Sequence, residues 1–454
     1  MTNPIHIIGA GLAGSECAFQ LARRGLPVIL HEMRPGRSTA AHKTDRFAEL
    51  VCSNSLRSDD PLHAAGLLKR EMEAFDSLII AAARGAAVPA GSALAVDREI
   101  FSEAITQAIL EQPLIEVRRQ EVTTLPEGET VLATGPLTSE ALSQQLLELL
   151  GEEHLYFYDS IAPIVEAESL NMDKLFAGSR YGKGDGDDYL NSPMNKDEYQ
   201  AFHQALVGAE MVTPHAFEDT KFFEGCLPIE EMAQRGLDTL RYGPMKPVGL
   251  TAPDGRRPWA VVQLRQENLA KSHYNLVGFQ TRMKWPDQKR VFRSIPGLED
   301  AVFVRMGQIH RNTFINAPTH LDSHYRVKVR PQLRLAGQIT GVEGYLESAA
   351  TGLAIALYLS LERQGLAPQP FPATTALGAM ARHLTESKAK HFQPANINYG
   401  LFEPLEERVR KQSRRGAFAE RARAALEAWA TQHGLALSSD LASAAPEVLA
   451  ETAS

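Results

Sequence analysis

An α/β protein built on a doubly wound, dinucleotide-binding domain that is discontinuous in sequence is predicted from three observations. A strand runs into a glycine loop at the very start of the chain. A second strand–glycine–helix unit lies more than three hundred residues later. The 454-residue length leaves room between them for a domain of ordinary size. The expected organisation is therefore 1–157 as the first part of the cofactor domain, 158–325 as an inserted α/β substrate domain, and 326–454 as the second part with a C-terminal helical tail.

The first unit reads Ile5-His6-Ile7-Ile8-Gly9-Ala10-Gly11-Leu12-Ala13-Gly14, an apolar strand followed by G-x-G-x-x-G. Gly9 permits the tight turn, Gly11 lets backbone approach a pyrophosphate, and Gly14 lets the following helix pack closely on the sheet. That helix is expected over Ser15 to Arg24, with phosphates on its N-terminus. A second strand, Pro27 to Leu30, is closed by Glu32, placed to accept hydrogen bonds from ribose hydroxyls. The loop alone leaves NAD, FAD and S-adenosylmethionine folds open.

Leu114–Val117 and Glu121–Leu125 read as a pair of strands. Glu129–Leu132 is a short buried strand that runs into the small-residue turn Ala133-Thr134-Gly135-Pro136. Far downstream, Leu333–Ile339 reads as a strand containing Gly337 and Gln338, followed by Gly341-Val342-Glu343-Gly344 and a helix over Leu346–Leu361. The N-terminus of that helix again lies beside a glycine-rich loop and favours negative charge.

Composition sets the class. The 44% hydrophobic content supports a large core. The most apolar stretch, Leu78 to Val96, is broken by Arg84 and Pro89, and the N-terminal apolar run has no basic leader, so neither a membrane span nor an export signal is expected. Three cysteines, Cys17, Cys52 and Cys226, lack metal-site or disulfide spacing. A reducing cytoplasm and no metal are expected.

A net charge of −8 argues against indiscriminate nucleic-acid binding. Two basic runs stand against it: Arg282, Lys284, Lys289, Arg290 and Arg293, and then Arg408, Arg410, Lys411, Arg414, Arg415, Arg421 and Arg423. Each reads either as a solvated helix face or as a contact for a polyanion.

Cys226 precedes Pro228, Glu230 and Glu231, a helix-start signal. A thiol there is either favoured as a thiolate by the helix dipole or buried as a small hydrophobe. Cys52 lies in a polar loop expected at the cofactor edge of the sheet. Cys17, in the first helix, reads as a packing residue.

The order of the glycine loop, the Ala133-Thr134-Gly135 strand and the late Gly337 element resembles the glutathione-reductase-like flavoprotein fold, which implies FAD. One departure is Gln338, where many such flavoproteins place an aspartate for the ribityl chain. Longer strings are more specific: Gly9 to Glu16, Asp45 to Leu56, Val131 to Ser139, Tyr242 to Leu250, Val262 to Glu267 and Gly341 to Gly352. By these the chain resembles the folate- and FAD-dependent tRNA uracil-5 methyltransferases, the TrmFO family, over nearly its whole length.

The resemblance implies an enzyme that takes a methylene from methylenetetrahydrofolate through reduced FAD to carbon 5 of the T-loop uridine of tRNA, with NAD(P)H as reductant. It assigns the thiolate that attacks carbon 6 to Cys226, and places Cys52 beside the flavin as base or protective thiol. The target base must be extruded from its loop, with Trp285 and Phe292 as stacking candidates or core residues. No protein partner is implied. Competing readings are a GidA/MnmG-like wobble-uridine enzyme, whose members are longer at the C-terminus, a flavin oxidoreductase acting on a small molecule, and a catalytically silent tRNA-binding flavin fold.

Overall fold

The computed structural model describes residues 3–39, 41–151, 156–160, 162–184, 186–212, 227–268, 270–307, 309–406, 409–410 and 412–438. Cys226, Arg408 and Lys411 lie outside the described residues.

The first sheet has six strands in the order Arg326–Val327, Arg330–Leu335, Thr130–Leu132, Ile5–Ile8, Val28–His31 and Ile115–Arg118. Neighbours are parallel except at the Arg326–Val327 edge. Ile8 pairs with both His31 and Leu132, and Leu132 pairs with Leu335, so the strand ends are level. Gly9, Glu32, Ala133 and Ala336 therefore leave the sheet side by side. Chain order runs outward in both directions from Ile5–Ile8, which puts the topological switch between that strand and Thr130–Leu132. A crevice opens at such a point in a doubly wound sheet.

Helix formation begins earlier than expected, at Leu12 and not Ser15, because Gly11 is itself the N-cap, with φ −76° and ψ −167°. The glycine loop is thus the first turn of the helix Leu12–Ala22. A Cβ on Gly14 would stand 1.8 Å from the Gly9 carbonyl oxygen, and one on Gly352 would stand 2.1 Å from that of Ala13. These contacts seat the helix against the sheet and against Tyr345–Arg363, a helix buried from Ala349 to Leu361.

Two expected strands differ. Glu121–Leu125 is irregular: Leu125 N–H donates to the Gln145 side chain at 2.9 Å, while Gln120, Glu121 and Val122 turn toward the crevice. The late strand ends at Leu335, because Gly337 turns the chain at φ +80° into a short 3₁₀ segment, Gln338–Thr340.

The second sheet is antiparallel throughout, ordered Phe176–Ala177, Tyr189–Met194, Ala260–Gln266, His273–Leu276, Ile164–Glu166, Phe303–Arg305. Helices Lys196–Val207, Ile229–Gln234 and Trp285–Phe292 cover it. Its core, drawn from residues 165–303, includes Phe202, Phe279 and Phe292. Phe292 is therefore a core residue and not a base-stacking one, whereas Trp285 is 56% exposed. The first core draws on residues 5–150 and 315–437. An antiparallel strand pair, Tyr156–Ser160 with Ile309–Thr313, lies where the chain passes between the two. The C-terminal helix Arg414–Gln432 docks on the first core through Phe418, Leu426 and Trp429. No described helix is long and apolar enough to cross a membrane.

Candidate active site

A cleft opens at the switch point, where doubly wound sheets bind their ligands. Gly9, Gly11, Leu12, Ala13, Glu32, Ala133, Thr134, Gly135, Gly337 and Gln338 all line it. The glycines divide their work. Gly9 turns at φ +99°, and a Cβ there would meet the Ala133 oxygen at 2.6 Å. A Cβ on Gly11 would meet nothing within 4 Å. That open space faces the cleft at a helix N-terminus, where backbone N–H groups and the helix dipole favour a phosphate.

Other sequence-expected residues stand behind the wall. Ala10 is buried, and its N–H donates to Glu32 Oε2 at 3.2 Å. Gly14 is sandwiched against Gly9. Glu343 accepts from the Gln338 side chain at 3.1 Å, and Gly344 caps the helix that begins at Tyr345. Gly341, at φ +92°, faces the Phe392 ring. These residues shape the late loop and do not line the cleft.

Glu32 is part of a network that sequence reasoning missed. Arg34 Nε donates to Glu32 Oε1 at 2.9 Å and Arg34 Nη2 to Oε2 at 3.1 Å, while Nη1 reaches Glu49 Oε2 at 3.2 Å. Burial pushes the Glu32 carboxyl up, but the Arg34 hydrogen bonds and charge together hold it below its ordinary value. Glu32 is thus an ionised acceptor at neutral pH, fixed by a buried guanidinium. The only signal in the sequence is nearness, since Arg34 lies two residues on in the turn that follows the strand. His31 also lines the cleft and stacks on His6 with centroids 5.4 Å apart. Burial, then the His6 and Arg118 charges, lowers its pKa to about 4.

Cys52 sits at the seam between the two cores. Its neighbour Val51 lines the cleft, as does Tyr345. The Cys52 N–H donates to Tyr345 Oη at 2.5 Å, and its carbonyl accepts from Arg98 at 2.8 Å. Arg98 also donates to the Leu50 carbonyl and pairs with Glu267, and Arg305 donates to the Val51 carbonyl. Arg265 donates to Asn54 Oδ1 at 2.8 Å. Three guanidinium groups from distant sequence positions thus surround one short loop. Burial holds the Tyr345 phenol well above its ordinary range, so it stays protonated. Cys17 is buried in the first helix, and burial likewise raises its thiol.

The residues present fit FAD: an open cradle at Gly11, an ionised acceptor at Glu32, and the first turn of a second helix, which reaches the cleft at Tyr345 and Ser348. Among the described residues no group of side chains is arranged to hold a metal ion.

Comparison with known proteins agrees with this geometry. The family described as Glucose inhibited division protein A, GIDA, matches residues 4–367. A Geobacter sulfurreducens protein named methylenetetrahydrofolate–tRNA-(uracil-5-)-methyltransferase TrmFO is 57% identical, over 94% of this chain and 99% of its own. Proteins of the same name are 56% identical in Enterococcus faecalis, over 93% and 97%, and 55% identical in Myxococcus xanthus, over 95% of each. Among solved structures, Aquifex aeolicus GidA in its form I crystal superposes with a TM-score of 0.65 at 15% identity, covering 93% of this chain and 76% of that one. That likeness concerns the fold.

Proposed function

The chain belongs to the TrmFO family, and from that membership and the cleft we propose that it carries a one-carbon unit from methylenetetrahydrofolate to carbon 5 of the T-loop uridine of tRNA, completing it as a methyl group. The observation that carries the reading is 54–57% identity to TrmFO proteins over 93–96% of the chain. Residues 1–157 and 326–454 are read as the two parts of the cofactor domain and 158–325 as the substrate domain; two separate cores favour two domains, although Ile315, Ala317, Leu321 and Tyr325 pack in the first core and move that boundary toward 314.

When bound, FAD supplies one-carbon and hydride transfer, with NAD(P)H as the external reductant. Gly11 and the N-terminus of Leu12–Ala22 would hold its phosphates, and Glu32, ionised and fixed by Arg34, would accept from its ribose. Tyr345 stands at the cleft wall as a neutral phenol and pins the Cys52 backbone. Arg98 and Arg305 hold three consecutive carbonyls of the Cys52 loop. Family membership gives Cys52 the role of base or protective thiol, beside Val51 at the cleft wall. Cys226 is the nucleophile toward carbon 6 of the uracil, which must leave its stack to reach these groups.

The test follows the carbon. With carbon-labelled methylenetetrahydrofolate, NADPH and unmodified tRNA, label should appear on carbon 5 of the T-loop uridine without S-adenosylmethionine. Label arriving only from S-adenosylmethionine, or at the wobble uridine, would overturn the reading.

A further inference from the structure

Three of the five cations in the 282–293 run are paired with acids, two of which the fold brings in from elsewhere. Arg282 pairs with Glu231, Lys284 with Glu210 at 2.8 Å, and Arg290 with Asp287 at 2.5 Å. Arg293 turns inward to the Ala301 carbonyl at 2.9 Å.

The second run behaves differently. Arg414 and Arg415 are exposed in the first turn of Arg414–Gln432, and no acidic residue in that turn offsets them. Among the described residues neither forms an ion pair. Arg415 instead donates to His63 Nε2 at 2.9 Å. Burial, then the Arg415 charge, lowers the His63 pKa, so the ring is a neutral acceptor that aims a guanidinium without neutralising it.

Lys183 of the substrate domain joins this patch across the seam. Its segment is fastened to the cofactor domain by Gly91 N–H to Asp188 Oδ2 at 2.6 Å and by Tyr189 Oη to the Ala90 carbonyl at 2.9 Å. From there the chain leads directly to His63: Asp59 N–H bonds the Ser92 carbonyl at 2.7 Å, and His63 N–H bonds that of Asp60 at 2.9 Å. The Lys183 charge is accordingly felt at His63. Of the nearby acids, Asp59 is paired with Arg84 and Asp188 accepts from the Gly91 N–H, while Asp60 Oδ2 lies 3.5 Å from His63 Nε2 and Asp187 is exposed.

Tyr181, two residues from Lys183, is 63% exposed and holds φ +60°. A left-handed backbone is uncommon for an aromatic residue. The ring rests on Gly249, where a Cβ would meet it at 3.0 Å. An exposed aromatic beside unpaired cations is the combination that stacks an unpaired base and holds its phosphates.

Resting on the tRNA reading above, we infer that the patch formed by Arg414, Arg415, Lys183 and Tyr181, and not the 282–293 run, is the face that docks the phosphate backbone of the RNA. The patch straddles the seam where Ser55–Ser58 carries the chain from the Cys52 loop toward His63. RNA lying there spans both domains.

The test is binding of a tRNA transcript to the FAD-loaded full chain across a salt series. The double variant Lys183→Ala/Arg415→Ala should weaken binding about tenfold and reduce the log–log salt slope by about 1.5, since each neutralised phosphate contributes ~0.7–0.9 to that slope. Tyr181→Ala should also weaken it, with Tyr181→Phe restoring wild-type affinity. Lys284→Ala/Arg290→Ala should change neither quantity by more than about twofold. FAD content of each variant, expected unchanged because none of these residues lines the cleft, verifies folding. Wild-type affinity and slope in the first double variant, or an equal loss in the second, would overturn the proposal. Failure of the wild-type protein to bind tRNA would instead refute the substrate reading beneath it.

Discussion

Two alanine substitutions three residues apart should separate the cofactor's need for glycine from the fold's. At Gly11 the backbone is at φ −76°, which alanine adopts freely, and a Cβ meets nothing within 4 Å. The only structural penalty of Gly11→Ala is at the N-cap, where alanine is worse than glycine by about 0.5–1 kcal/mol. Its methyl group projects into the cleft, however. A phosphate oxygen bonded to backbone N–H at about 2.9 Å and a methyl carbon on the same residue compete for that space. A loss of at least about 1.4 kcal/mol in FAD binding, tenfold in Kd, is expected. At Gly14 the balance reverses: a Cβ would lie 1.8 Å from the Gly9 carbonyl oxygen, which is backbone and cannot rotate aside. Overpacking of this kind costs about 1–3 kcal/mol. Urea unfolding of the FAD-free proteins and titration with FAD, followed by flavin fluorescence, measure the two effects. Gly11→Ala binding FAD with wild-type affinity, or Gly14→Ala matching wild-type stability, would refute the placement of the phosphates and of the helix respectively.

Cys226→Ala should keep full FAD content yet fail to form the covalent adduct that wild type forms with 5-fluorouridine in the T loop. Denaturing gels read the outcome, and an adduct persisting in the variant would move the nucleophile to another residue, with Cys52 first. The His31 pair predicts an acid sensitivity of known sign. Its folded pKa, about 4, lies below the ordinary 6.5, so the unfolded chain binds the extra proton first and stability falls as pH drops from about 6.5 toward 4. The loss attributable to His31 is about 1–3 kcal/mol. Urea midpoints of wild type and His31→Gln should converge over that window, and parallel curves would remove His31 as the cause.

What was legible in the sequence is what local backbone geometry dictates. Gly9, Gly11 and Gly14 each answer to a separate requirement of one tight strand-to-helix turn, so their spacing carries their positions. Ala133, Thr134 and Gly135 were legible for a similar reason, since only small residues fit where Gly9 meets the Ala133 carbonyl. What was not legible depends on tertiary approach. Arg98, Arg265 and Arg305 converge on the Cys52 loop from three separate elements, and no local pattern marks them. The charge of the 282–293 run misleads for the mirror-image reason: Glu210 and Glu231, distant in sequence, neutralise it in space. The Glu121–Leu125 strand failed because alternation does not show where a segment spends its backbone hydrogen bonds, and here Leu125 N–H goes to the Gln145 side chain.

The chemistry of the seam explains why Cys52 sits where it does. Polar contacts from the substrate domain to the Cys52 loop fall within five residues: Arg305 to Val51, Arg265 and the Gln266 carbonyl to Asn54, and Glu267 through Arg98 to Leu50 and Cys52. Buried charged pairs add little net stability, because desolvation offsets much of their attraction. Their geometry is demanding, however, and a guanidinium bonded to a specified carbonyl tolerates little displacement. A joint made of such contacts fixes the register of two domains more than it strengthens their union. Because the loop that carries Cys52 is the joint, the thiol's position relative to the cleft is set by the substrate domain itself. Arg98, Arg265 and Arg305 are the contacts through which a movement of that domain would reach the Cys52 loop, separate from the cofactor-binding glycines.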